Sequence, residues 1–183
     1  MPVNLSIYNN DFYKPGNSIK RYAWYLVNEV VFKTGLFPFY TLKRFFLKLF
    51  GAKMGRGILI KPGVNIKYPW LLDMGDFIWI GEGVWIDNLA RVSIGNNVCV
   101  SQGALLLCGN HDYTTAAFNL SLKPIVIEEG VWIGAKSIVC GGVTCRSHSI
   151  LSVGSVANGD MQAYGIYSGN PAQEIKKRVI KEG

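Results

Sequence analysis

His111 is the residue on which chemistry in this chain would turn. It stands in the phrase Cys108-Gly109-Asn110-His111-Asp112 and is one of only two histidines among 183 residues. An imidazole changes charge near neutral pH, so it can take a proton from an attacking hydroxyl or amine and return it to a leaving group. Asp112 follows directly, and two roles are open to it: orienting that imidazole, or capping the turn that carries it. The second histidine, His148, sits in Cys145-Arg146-Ser147-His148-Ser149-Ile150 at a corner where side chains face solvent, and reads as structural. Two histidines are too few for a three-histidine zinc site. The four cysteines, Cys99, Cys108, Cys140 and Cys145, contain no Cys-x-x-Cys pair and lie in apolar stretches. They read as free buried thiols of a reducing compartment, not as a metal knuckle or a disulfide framework.

The elements that must hold His111 are repetitive. Aliphatic residues recur every sixth position at Met54, Ile60, Ile66 and Leu72, again at Met74, Ile80, Ile86 and Val92, and again at Ile94, Val100 and Leu106. The period resumes at Ile127, Ile133 and Val139, slips to Cys145 and continues at Leu151. Six is neither the helical period nor strand alternation; it fits one short strand plus one tight corner per unit. Three units make a triangular coil, with aliphatic side chains stacked inward and the glycines that follow them relaxing the corners. The two-residue slips at Leu72 to Met74 and Val92 to Ile94 place one insertion per coil at the same corner. About five coils at ~4.8 Å spacing give a prism roughly 25 Å long over residues 54–172. The period fails between Leu106 and Ile127, so residues 107–126 form a long loop on a rigid scaffold, and His111 lies near its start.

The ends differ from this body. Residues 1–53 read as a helical region. One helix begins after Pro15-Gly16-Asn17-Ser18, with Asn17 or Ser18 as cap, and ends at Gly35 and Pro38; a second covers Phe39 to Phe50. The second is about half the length a membrane span needs. Either both helices cover an end or flank of the prism, or the basic, aromatic stretch 39–50 rests on an anionic membrane surface. The run Glu174 to Lys181, in a tail over 173–183, reads as a short C-terminal helix capping the other end. The formal charge of +7 is concentrated: residues 1–61 hold ten Lys or Arg against Asp11 and Glu29. A basic third on a neutral body does not fit a nucleic-acid groove across the whole domain. The N-terminus lacks the order of a secretory signal, which points to the cytoplasm, at the inner face of the membrane if the helices touch it.

The repeats resemble those of the hexapeptide-repeat acyltransferases, and within them the polysaccharide O-acetyltransferases of colanic-acid type, the WcaF group. The resemblance spans nearly the whole chain. It is carried by Phe50-Gly51-Ala52-Lys53-Met54-Gly55, Tyr68-Pro69-Trp70, Ser101-Gln102-Gly103, Gly109-Asn110-His111-Asp112, Pro124-Ile125-Val126-Ile127, Val131-Trp132-Ile133-Gly134-Ala135 and Gly169-Asn170-Pro171-Ala172. It implies a left-handed parallel β-helix, a homotrimer with sites between neighbouring prisms, and transfer of an acetyl group from acetyl-CoA to a sugar-like acceptor. No metal is implied. His111 falls on the family's general base, and Asn88 resembles a polar coil residue that contacts the acceptor. Trp132 falls on the aromatic residue near the thioester, Ala135 on the small residue meeting the pantetheine, with Gly154 or Val153 one coil further on. Asn158 matches a polar contact nearer the nucleotide, and Lys176 a basic residue for its phosphates; Gly159 stands where relatives often carry lysine. Trp132 is equally placed to be buried by a trimer contact. Two other functions share the scaffold: N-acetylation of an amino sugar, and a non-catalytic assembly at the membrane surface.

Overall fold

The computed structural model describes residues 2–181; Met1, Glu182 and Gly183, the extremities of the two terminal regions, lie outside them. Its body is a parallel β-solenoid of five three-sided coils and part of a sixth. The first face stacks Lys53–Met54, Leu72–Met74, Val92–Ile94, Ile125–Ile127 and Thr144–Cys145. The second stacks Leu59–Ile60, Trp79–Ile80, Cys99–Val100, Trp132–Ile133, Ile150–Leu151 and Gly165–Gly169. The third stacks Asn65–Ile66, Trp85–Asp87, Leu105–Leu107, Ile138–Cys140 and Val156–Ala157. Every sixth residue points inward as the period requires: Ile60, Ile80, Val100, Ile133 and Leu151 form one fully buried column. Each such side chain contributes about 1.5–3 kcal/mol on burial.

The outward ladders differ in kind. On the first face they read Lys53, Asp73, Ser93, Val126 and Thr144. On the second they read Leu59, Trp79, Cys99, Trp132, Ile150 and Ile166, and on the third Asn65, Trp85, Leu105, Ile138 and Val156. Two sides of the prism are apolar, and they meet at one corner.

The glycines that follow the aliphatic residues have a different reason from the one expected. Gly81 and Gly134 do not take left-handed backbone. Their place is forced by the next coil, because a Cβ would stand 2.5 Å from Gln102 N in one case and 2.6 Å from Leu151 O in the other. The left-handed residues sit in the turns instead. At the first corner they are Gly57, Phe77, Asn97, Gly130, His148 and Tyr164, so His148 is a turn residue, packed on the Tyr164 ring. Among the cysteines, Cys108 and Cys145 are buried, whereas Cys99 and Cys140 are only half-buried on the outward faces.

Both predicted N-terminal helices are present. Helix α1 (Ser18–Val27) is capped by Asn17, whose side chain accepts from Ile19 N, and continues as a π-helical turn over Asn28–Lys33; α2 spans Tyr40–Leu49. They seal the open edge of the first coil, whose main chain has no coil beneath it. Lys43 Nζ donates to the carbonyls of Ile60 and Lys61, at 3.3 and 2.9 Å. Trp24 Nε1 donates to Ile66 O at 2.8 Å, Ile66 N donates to Asn28 Oδ1, and Gly63 N donates to Phe32 O. Each edge group left bare in this buried seam would cost about 1–3 kcal/mol. Burial holds the Lys43 ammonium below its usual pKa. The far side of α2 leaves Phe45, Lys48 and Leu49 exposed. Among the described residues no helix is long and apolar enough to cross a membrane.

The C-terminal helix is not formed. Ala172–Lys177 is a strand, antiparallel to Gly165–Gly169. Ile175 and Val179 have helical spacing, yet the last coil exposes a row of unpaired main-chain groups that only an extended partner satisfies.

Candidate active site

The insertion after Leu107 folds into a hairpin at the third corner, between the third face and the first. Gly109–His111 pairs with Leu120–Leu122, His111 lying opposite Leu120. Gly109 packs closely where the hairpin leaves the coil: a Cβ there would meet Leu89 Cδ1 at 2.8 Å, and the leucine side chain would have to shift. The hairpin and the corner beneath it, Cys140 and Gly141 included, enclose a cavity of about 410 Å³ into which His111 opens.

His111 is held in one tautomer. Its Nδ1 lies 2.8 Å from the Phe118 carbonyl oxygen. A carbonyl only accepts, so Nδ1 carries the proton and Nε2 keeps its lone pair, the form a general base requires. The ring is stacked on the Phe118 ring, with centroids 4.5 Å apart and planes within 6°, and Tyr8 approaches its other surroundings at 5.9 Å. Phe118 adopts φ 49°, a left-handed conformation costly for a bulky residue and one that aims its carbonyl at the imidazole.

Two expected site residues have other work. The Asp112 carboxylate accepts from the N–H and hydroxyl of Thr114, bonds that hold its pKa below the usual range. It caps the turn, and the imidazole is oriented by the Phe118 carbonyl in its place. Asn88 is fully buried, with Oδ1 accepting from Tyr68 N and Nδ2 donating to Tyr68 O. Both ends of its amide are thus used in bridging successive coils. Its neighbour Asp87 is the residue sequence reasoning passed over. The Asp87 carboxylate lies 3.8 Å from the Cβ position of Gly109 and 3.9 Å from Lys67 Nζ. Burial raises its pKa and Lys67 opposes the rise. The signal was present: Asp87 extends a strand that otherwise alternates, on the same edge as His111.

The segment before α1 is also part of the site. Asn4 N donates to Ala116 O, Asn9 N to Asn119 Oδ1, and Tyr13 Oη to Leu89 O, so this strap crosses the hairpin and descends the third corner to Trp70, whose Nε1 donates to Pro15 O. No period or motif marks these contacts, which join residues 55 to 112 positions apart.

A second cavity, of about 570 Å³, lies at the corner between the second and third faces. It brings together Trp132, Ala135, Val153 and Lys176, with Ser101, Gln102 and Ile175 beside them. Trp132 Nε1 donates to Ser101 Oγ at 2.9 Å, which fixes the indole along the groove. Gly154, with φ 67°, turns the same corner next to Val153. Asn158 is not brought to this groove: it follows Val156–Ala157 and stands at the third corner, above Cys140, because a full side of the prism intervenes. The same side separates the groove from His111. From Ala135 to Gly141 the chain advances six residues, up to about 20 Å.

Comparison with known proteins fits this architecture. No family model matches the chain. It is 35% identical over 170 residues to the putative colanic acid biosynthesis acetyltransferase WcaF of Escherichia coli K12, covering 93% of each chain. It is 24% identical over 129 residues to the galactoside O-acetyltransferase of the same organism, covering 69% of this chain and 64% of that one. In structure it resembles a hexapeptide-repeat acetyltransferase of Vibrio cholerae O1 biovar eltor complexed with acetyl coenzyme A, at TM-score 0.79, 20% identity and 88% coverage of each chain. A maltose O-acetyltransferase of Clostridium difficile 630 aligns at TM-score 0.76, 19% identity and 90% coverage of each chain. The coiled body, the hairpin histidine and the likeness over almost the whole length together say that the chain belongs to the hexapeptide-repeat acetyltransferases, in the group of WcaF.

Proposed function

We propose that the chain moves the acetyl group of acetyl-CoA to a saccharide hydroxyl, with His111 as general base. The observation that carries this reading is the Nδ1 contact to the Phe118 carbonyl, which leaves Nε2 free to take a proton. The acceptor hydroxyl attacks the thioester carbonyl as Nε2 removes its proton. The tetrahedral intermediate then expels the thiolate, which recovers that proton from the imidazolium. Asp87, on the same edge, is placed to bond a neighbouring sugar hydroxyl. The Trp132 groove is assigned to the donor: the indole packs on the pantetheine arm, Ala135 and Gly154 admit it closely, and Lys176 meets the phosphates.

A homotrimer is part of the proposal. One chain keeps its base and its donor groove on different corners, and its two apolar faces, with Trp79 and Trp85 exposed, meet at the groove corner. Packing these faces against neighbouring copies would bury them and bring the groove of one prism to the hairpin of the next. The relative in Escherichia coli is named for colanic acid biosynthesis, which supports a polysaccharide precursor as acceptor.

Incubating the protein with acetyl-CoA and a saccharide panel, with thiol release followed and product linkage determined, tests the reading. An alkali-labile ester on one acceptor class is expected. An amide on an amino sugar would replace O- by N-acetylation, and absence of both coenzyme binding and thiol release in a folded trimer would favour a scaffold. We also assign the exposed Phe39, Phe45 and Leu49 with Arg44 and Lys48 to contact with an anionic membrane surface. Flotation with anionic but not neutral liposomes at low salt is expected; no flotation removes that contact.

A further inference from the structure

A groove of about 550 Å³ opens where α1 lies across the third face of the first coil. Arg21, Tyr22 and Tyr25 line it from the helix, and Asn65, Lys67 and Tyr68 from the coil. Arg21 Nε is buried there without a hydrogen-bond partner, and the guanidinium reaches Ser18 Oγ only at 3.3 Å. A guanidinium presents donors in a planar fork that matches a carboxylate or a phosphate. The acid lining the groove is Glu29, and Lys33 takes it up at 2.6 Å. Lys67 adds a second cation, with its ion pair to Asp87 stretched to 3.9 Å and its side chain 45% exposed. Tyr22 and Tyr25 are both more than half exposed, offering rings on which the apolar faces of sugars pack.

This groove lies on the same corner of the prism as the His111 cavity. Lys67, Asp87 and Leu107 occupy the same register at the third corner in three successive coils. At ~4.8 Å per coil, the groove lies about 10 Å from the root of the catalytic hairpin. Tyr13 spans the interval, anchored on Leu89 O. Burial, and the negative charge available to Tyr68, Asp87 and Cys108, push its hydroxyl well above the usual tyrosine range, so it stays neutral and keeps its proton on Leu89 O.

We propose that this groove is an acceptor subsite for an anionic group, a carboxylate or phosphate carried by the saccharide about two sugar residues from the hydroxyl presented to His111. Arg21 and Lys67 bind the anion, and Tyr22 and Tyr25 hold the sugar that bears it. The inference rests on the saccharide reading above and narrows it to acidic acceptors.

The test uses the full chain with acetyl-CoA and three disaccharides: neutral, with a terminal uronic acid, and with a reducing-end phosphate. Binding is read by calorimetry and turnover by thiol release. An advantage of about tenfold or more in kcat/KM for an anionic form over the neutral one is expected, expressed in KM and shrinking with added salt. Whichever anion gains more names the source of the charge. Arg21→Gln, and separately Lys67→Gln, should bring the ratio toward one in protein whose Tm is retained. A wild-type ratio of one, or a ratio that survives both substitutions, overturns the subsite. If no disaccharide is acetylated, the transfer reading fails instead, and calorimetric preference for the anionic over the neutral disaccharide still decides the subsite.

Discussion

At the second corner, the groove beside Trp132 is a product of repetition. Ser101-Gln102, Gly134-Ala135 and Ser152-Val153 are equivalent turns of successive coils, stacked by the same hydrogen bonds that build the prism. At the third corner, the cavity around His111 departs from repetition. A hairpin replaces a turn, a left-handed Phe118 aims a carbonyl at the imidazole, and a strap from the chain's beginning crosses the top. On the proposed reading, a general surface for a long coenzyme arm comes from a regular lattice, whereas one reactive nitrogen needs contacts that the lattice does not contain.

Substitutions sharpen this contrast. The largest effect is expected for His111→Ala: turnover falls roughly 10²–10⁴-fold while the affinity for acetyl-CoA, measured by titration, is kept. Equal losses in both would make His111 a structural residue and erase the distinction between the corners. Trp132→Ala should raise KM for acetyl-CoA about tenfold, with kcat changed far less, because one packing surface is lost from a groove made of many contacts. A fall in kcat alone would move the indole from the donor side to the chemistry. The smallest effect is expected for Asp112→Asn, within about threefold in kcat/KM, since the Phe118 carbonyl and not the carboxylate orients the imidazole. A loss comparable to that of His111→Ala would restore the carboxylate–histidine pair.

The same contrast explains what could be read from the sequence. The six-residue period located the coils, the interruption and the inward columns, because one physical requirement recurs in every unit. Trp132, Ala135 and Val153 inherited that register and fall together, and Lys176 joins them from the closing strand, which the period does not cover. The place of Asn88 and Asp87 could not be read from the period because alternation breaks at a corner, where both side chains are buried. The closing strand was mistaken for a helix because its pairing partner, Gly165–Gly169, sets its form more strongly than its own spacing does. The strap carries no periodic signal at all, since its contacts to Ala116 and Asn119 depend on the hairpin and that to Leu89 on a turn of the second coil, both formed far along the chain.

The seal under the first coil has a consequence for how the protein is made. Trp24, Asn28 and Lys43 precede every strand of the prism, so they leave the ribosome before the main chain they bond. The first coil can therefore close onto helices already synthesised, and each later coil can lay its strands on one that precedes it. The nascent chain thus grows upward from a blocked end, and in that direction only the newest layer offers a bare edge to its neighbours.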